Sequence, residues 1–330
     1  MSQGGENKVP AFVSISLAAL PLSAPLPCDL FLCLNHKMVK WKGKGEMVDS
    51  ATFDRLVQSR VLYLFLDAGH WGAFSAWSEG ESISEKKELA KHVTKDTKPL
   101  AEAIEGQRRA MLDIFTKMEL ESEDLKTASQ HSRKLVTELM RKPFAIEKLQ
   151  AMQSHSKGIV DHSVNVAVLC AFVCHRLGYN HQVTLETISM AGLLHDYGRI
   201  LPAEGKAPVK PEDLSGGDSR PDHPTLGAEH AAKLGEFSEL LPLLIAQHHE
   251  FLDGTGYPRG LQGTAIHELS RILCIVNLYD ELISKSAAST LEGRVAEALV
   301  RLEGDYEGKL DRKNLRAILT ILKGSAAKAA

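Results

Sequence analysis

The chain is poor in cysteine. Its five cysteines, Cys28, Cys33, Cys170, Cys174 and Cys274, make no CxxC pair, which excludes a disulfide or zinc framework and points to a reducing, cytoplasmic compartment. Cys170 and Cys174 fall at i and i+4 of an apolar stretch and read as small core residues. Charge of one sign is also scarce. Thirty-nine Lys and Arg against 42 Asp and Glu give a net charge of -3 and a pI near 6.5, which argues against a groove for a nucleic-acid polymer. Apolar runs stay short of the ~18 residues that cross a bilayer, so no membrane span is expected. Residues 11–27 are partly apolar, but Lys8 is the only positive charge before them and Pro21, Pro25 and Pro27 interrupt them. The alternation from Phe12 to Leu17 suits a strand better than a secretion signal.

With 330 residues, 44% hydrophobic and 25% charged, the chain suits a soluble globular protein of two domains. Residues 1–78 read as a small α+β domain, regulatory or sensory. Strands are expected over Phe12–Leu17, Asp29–Leu34, Met38–Trp41 and Val61–Leu66, with a hairpin turn at Asn35-His36-Lys37 and a helix over Ser50–Val57 capped by Ser50. His36, His70 and His92 are scattered and read as surface residues. Residues 79–142 are charge-rich and helical. Ile104, Met111, Leu112, Ile114, Phe115 and Met118 recur at spacings of three and four, as in one long amphipathic helix or two broken near Glu121–Asp124, stopped by Pro143. This reads as a connector whose apolar stripe offers a surface for a homodimer. Residues 143–330 are all-α by pattern, with loops at 178–180, 201–223 and 253–263, so the fold class is mainly α.

Nine of the fourteen histidines lie between His155 and His249. Five of them stand at helix ends: His162 early in a helix, His195 in a His-Asp doublet with Asp196, His223 before Pro224, and the doublet His248-His249. One carboxylate has two oxygens and can bridge two cations, whereas an imidazole ligates one. Mixed N/O sets suit iron, manganese or zinc. Metal binding therefore outweighs five separately satisfied core histidines, while spacing alone leaves open whether the metal is catalytic or structural. After the second doublet comes a loop, Glu250 to Leu261, with Gly254, Gly256 and Gly260 around Pro258. Its glycines permit positive φ and close approach, as a site demands rather than a simple connection.

His195-Asp196 with Gly198, His223-Pro224 with Gly227, and His248-His249-Glu250 with Asp253-Gly254 and Gly256-Tyr257-Pro258 resemble the HD-GYP proteins, a branch of the HD metal-dependent phosphohydrolases. The resemblance runs from about Asp161 to Ile283. The first domain faintly resembles the small α/β domains that precede such units in some bacterial proteins. The resemblance implies an all-α domain with two divalent metals, usually iron, with manganese or zinc as alternatives, and cyclic di-GMP as substrate, hydrolysed to pGpG or GMP by a hydroxide bridging the metals. Carried over, one metal takes His162, His195 and Asp196, and the other takes His223, His248 and His249, with Asp196 as the bridge. The loop residues Asp253, Gly254, Gly256, Tyr257 and Pro258 would serve substrate, or a partner of the GGDEF type that makes cyclic di-GMP.

The departures from that pattern bear on activity. Asn277 stands where the family carries a metal-binding aspartate, so the first metal is expected to bind more weakly; Asp280 matches a different position, one turn on. Arg199 replaces a lysine and stays charged, binding phosphate without donating a proton. Gly158 stands where members with a third metal place a glutamate. Ser286 to Ser289 replace a segment rich in phosphate-binding arginine, which leaves Lys285 as the nearby cation. Two readings follow: a cyclic di-GMP phosphodiesterase with Asp196 and Arg199 in catalysis, or a weak or inactive module that binds metal and nucleotide. A phosphohydrolase for another nucleotide is a third.

Overall fold

The computed structural model describes residues 12–16, 25–34, 37–48, 52, 56, 63–70, 73–74, 97–116, 121–141, 145–152, 158–201, 220–233 and 238–324. The chain divides into two compact units, residues 1–90 and 91–330.

The first unit holds four strands, β1 (Phe12–Ser16), β2 (Leu30–Leu34), β3 (Lys37–Lys42) and β4 (Tyr63–Asp67). They pair antiparallel in the order β1-β4-β2-β3. Each falls where alternation placed it, because residues two apart share a face of the pleat. Leu64 and Leu66 of β4 therefore both enter a core with Ile15, Leu30, Leu26, Cys28 and Phe74. Leu34 stands opposite Lys37, consistent with a hairpin between β2 and β3. His70 is exposed. The helix expected over Ser50–Val57, the first part of the helical stretch 79–142 and most of the loop expected over 201–223 lie largely or wholly outside the described residues, as do His36 and His92.

The second unit is helical: α1 (Lys98–Thr116), α2 (Ser122–Arg141), α3 (Ile146–Met152), α4 (Ile159–Arg176), α5 (Gln182–Leu194), α6 (His223–Lys233), α7 (Leu240–Gln247), α8 (Glu268–Lys285), α9 (Leu291–Gly304) and α10 (Arg312–Lys323). Helix α4 is buried from Ser163 to Cys174. It lies so close to α5 that a Cβ on Gly192 would come within 2.6 Å of the Ala167 backbone. By length and composition α4 could cross a membrane, contrary to the sequence expectation. It is 67% buried inside the protein, as a core helix is.

Among the described residues, the stretch read as a connector forms two helices of this unit, with Glu121 outside both and α2 beginning at Ser122. The stripe of α1 is turned inward, with Ile104, Met111, Ile114 and Phe115 buried. Gln107 of α1 donates to Ser132 of α2 and Ser189 of α5, 3.2 Å each. The apolar stripe of α1 thus packs within its own unit.

Candidate metal centre

Helix ends bring the five histidines together. His162 lies in the first turn of α4, His195 caps the C-terminus of α5, His223 opens α6 and His248 caps α7. Asp196 follows His195 and starts the short turn Tyr197–Arg199. That turn is pressed against α6, since a Cβ on Gly198 would strike the His223 carbonyl oxygen. Two donor sets result. Asp196, His223, His248 and His249 form one; His162, His195 and Asp196 form the other. Within each set the ligand atoms lie within 4.8 Å of one another.

Asp196 divides its carboxylate between the sets. Its Oδ1 is 3.2 Å from His223 Nε2 and 3.8 Å from His248 Nε2. Its Oδ2 is 3.5 Å from His195 Nε2 and 3.8 Å from His162 Nε2. The imidazoles are oriented from behind. Nδ1 of His195 is 2.8 Å from the Gly192 carbonyl, that of His223 2.6 Å from Arg220 and that of His248 2.6 Å from Ile245. A carbonyl only accepts, so each Nδ1 carries the proton and each Nε2 turns its remaining valence inward. His162 Nδ1 meets Asp280 Oδ2 at 2.7 Å. The Nε2 atoms then crowd together, His162 to His195 at 3.2 Å and His223 to His248 at 3.1 Å. Two lone pairs at such distances repel unless a proton or a metal cation lies between them.

The charges agree with that reading. Burial pushes His195 down to about 4, although Asp196 pulls the other way. Burial, with neighbouring imidazoles, holds His248 and His249 well below the usual range, so they are neutral donors at neutral pH. Burial also opposes charge on His162, but the hydrogen bond and charge of Asp280, helped by Asp196, lift it to about 9. Asp196 is held well below the carboxylate range: burial opposes ionisation, and His195 and Arg199 outweigh it. A buried carboxylate amid inward-facing nitrogens fits divalent metal.

Both polar atoms of the Asn277 side chain, on α8, are buried without a hydrogen-bond partner among the described residues. Arg199 Nε sits 2.7 Å from Asp196 Oδ1. Lys285 is not gathered into either donor set; it is largely exposed and pairs with Glu281 at 2.6 Å. Tyr197 is a core aromatic, packed edge-on against Phe115.

The loop after His249 is built as tightly as the cluster. Glu250, only 2% exposed, accepts the backbone N–H of Arg259 on one oxygen and of Leu261 on the other, both at 2.8 Å. Gly254 has φ +82, and a Cβ on Gly256 would strike Phe251 N. Tyr257 stacks on His249 with ring centroids 4.6 Å apart, and the Tyr257-Pro258 bond is cis. Asp253 uses its carboxylate on its own turn, accepting from Thr255 N and Oγ1 at 2.9 and 2.7 Å; it is not drawn into the cluster. Phe251 packs against Tyr306 with Lys309 over its ring, so apolar loop residues serve partly to seat the loop on its own unit.

Sequence reading missed Glu250 as the loop's anchor and Asp280 as the partner of His162. The signal for Asp280 was its position one turn after Asn277 on the same helix.

The family model for the HD domain matches residues 140–313. The chain belongs to the HD domain family. Curated relatives match the chain at modest identity. A cyclic di-GMP phosphodiesterase of Pseudomonas aeruginosa is 26% identical over 87% of this chain and 70% of its own length. Another, PdeB of Borreliella burgdorferi, is 30% identical over 55% of this chain and 46% of its own. A 3'3'-cGAMP-specific phosphodiesterase of Vibrio cholerae is 29% identical over 44% and 36%. The chain thus spans less than half of the latter two. An HDG"Y"P protein from Bdellovibrio bacteriovorus superposes with a TM-score of 0.59 over 95% of this chain and all of its own. At 21% identity it shows the shared fold.

Proposed function

We propose that this protein is a metal-dependent phosphodiesterase that hydrolyses cyclic di-GMP to pGpG or GMP. One observation carries the reading: the two oxygens of Asp196 face two different histidine sets, 3.2 Å from His223 and 3.5 Å from His195. His162, His195 and Asp196 would hold one divalent metal and Asp196, His223, His248 and His249 the other, iron being the family's usual choice and manganese or zinc the alternatives. When bound, such a pair supplies an ionised water at neutral pH and offsets charge on the phosphodiester.

The chain's own residues have separate tasks. The carbonyls behind His195, His223 and His248 fix the donor nitrogens before anything binds. Arg199, anchored on Asp196, keeps a permanent cation beside the reacting phosphate. Glu250 holds the loop that walls the site, and Tyr257 covers His249. Cys28, Cys170, Cys174 and Cys274 are buried free thiols.

A second reading is a module that binds cyclic dinucleotide with little turnover. It is supported by the neutral Asn277 and by Lys285, whose ammonium is taken by Glu281. The test is to load purified protein with iron or manganese, confirm the metal content and follow cyclic di-GMP and 3'3'-cGAMP by chromatography. Linear product from wild type and none from Asp196→Asn supports the enzyme. Tight binding without product supports the module.

A further inference from the structure

The His162 half of the centre has only three donors in its set, against four in the other. Asn277 of α8, at the position where the family pattern carries a metal-binding aspartate, has a buried amide rather than a charge. The same helix nevertheless delivers a carboxylate to this half, one turn later. Asp280 is 2% exposed. Its Oδ2 accepts from His162 Nδ1 at 2.7 Å, and its Oδ1 accepts from Asn165 Nδ2 at 3.0 Å. Asn165 lies three residues after His162 on α4, so both contacts come from one face of that helix. Each carboxylate oxygen thus has one partner, and the carboxylate plane has little freedom to turn.

We propose that Asp280, steadied by Asn165, is the positioning group that makes the three-donor half competent to hold metal. It fixes the His162 tautomer and aims Nε2 at the position shared with His195 and Asp196. It also adds the negative charge near that position that Asn277 does not provide. His223 and His248 are oriented by neutral carbonyls; in the three-donor half a charged carboxylate performs that office for His162. A histidine backed by a carboxylate is a stronger donor than one backed by an amide, and losing such a partner typically costs 10–100-fold in metal affinity.

The inference rests on the two-metal reading, and its test separates the two. Full-length wild type, Asp280→Asn and Asn165→Ala are titrated with Mn2+ by calorimetry, with metal analysis at saturation and a melting curve of the metal-free protein. Wild type is expected to take two ions per chain. Asp280→Asn, which keeps the shape and loses the charge, should lose about 10–100-fold at one site and leave the other unchanged. Asn165→Ala should show a smaller loss at that same site. A merely structural role would lower the melting temperature without singling out one ion. Wild type that takes no metal overturns the proposed function itself. Wild type that takes two ions while both variants bind both with unchanged affinity overturns this inference alone. Should Asp280→Asn fail to fold, Asn165→Ala decides: unchanged affinity at both sites overturns it.

Discussion

His223 Nε2 and His248 Nε2 face each other across 3.1 Å, each ring having given its Nδ1 proton to a backbone carbonyl. Such a pair is held by the fold against its own electrostatics, and a cation between the nitrogens relieves it. Metal should therefore bind the folded state strongly and the unfolded chain weakly. At a free-metal concentration 100 times the dissociation constant, the gain is about 2.7 kcal/mol. For a unit of this size that corresponds to roughly 5–11 °C in melting temperature. Calorimetric scans with and without chelator should show this difference, reversed on adding metal back. Identical scans, with metal shown to be bound before chelation, would contradict the ligand set.

Replacing Asn277 by Asp should have opposite effects with and without metal. Asn277 is buried, and its amide atoms lack partners among the described residues. A carboxylate there becomes a charged ligand when metal is present and raises occupancy of the His162 half. In metal-free protein it is a buried charge close on the chain to Asp280, which costs several kcal/mol. The variant should melt below wild type in chelator and bind the weaker ion more tightly in a metal titration. Unchanged metal content would remove Asn277 from the site.

Metal-free protein should lose stability on both sides of neutrality. His195 has a folded value near 4, below its usual 6.5, and His248 and His249 move the same way. As pH falls below about 6.5 the unfolded chain takes protons that the folded site refuses, so stability is lost progressively toward pH 4. His162 is raised to about 9, so its contribution is complete below about 6.5 and disappears as pH rises through 9. Melting temperature in chelator against pH should show both limbs. His162→Gln should flatten the alkaline limb and keep the acid one; an alkaline limb unaltered in that variant would assign it elsewhere.

The histidine cluster was legible in the sequence because its members stand at helix ends, where doublets such as His195-Asp196 and His248-His249 mark the ends of apolar runs. The strands were legible because a half-buried strand alternates. The order β1-β4-β2-β3 was not, since pairing β1 with β4 depends on contacts far apart in sequence. The fate of α1 was hidden too: an apolar stripe such as Ile104, Met111 and Phe115 looks the same whether it faces its own unit or a second chain. Asp280 escaped because comparison by motif position asks which residue replaces which. The contact it makes with His162 joins helices 118 positions apart and appears only when α4 and α8 are packed.

Glu250 offers a way to loosen the loop without touching a metal donor. Its two oxygens hold the N–H groups of Arg259 and Leu261 at 2.8 Å, and hydrogen bonds to a buried charged group contribute about 1.5–3 kcal/mol. In Glu250→Gln one oxygen becomes an NH2 group, which faces a backbone donor and cannot accept from it. The loop should then open more often while His248 and His249, held by α7 and its own carbonyl contact, keep their places. Hydrogen exchange at the Arg259 and Leu261 amides should quicken by about 10–100-fold, as a local opening energy reduced by 1.4–2.8 kcal/mol requires. Metal content should stay at the wild-type level and turnover of cyclic di-GMP should fall. Gly256→Ala should open the loop more severely and disturb His249 as well, because its Cβ would strike Phe251 N and the His249 carbonyl. Wild-type exchange rates at both amides in Glu250→Gln would mean that some other contact holds the loop closed.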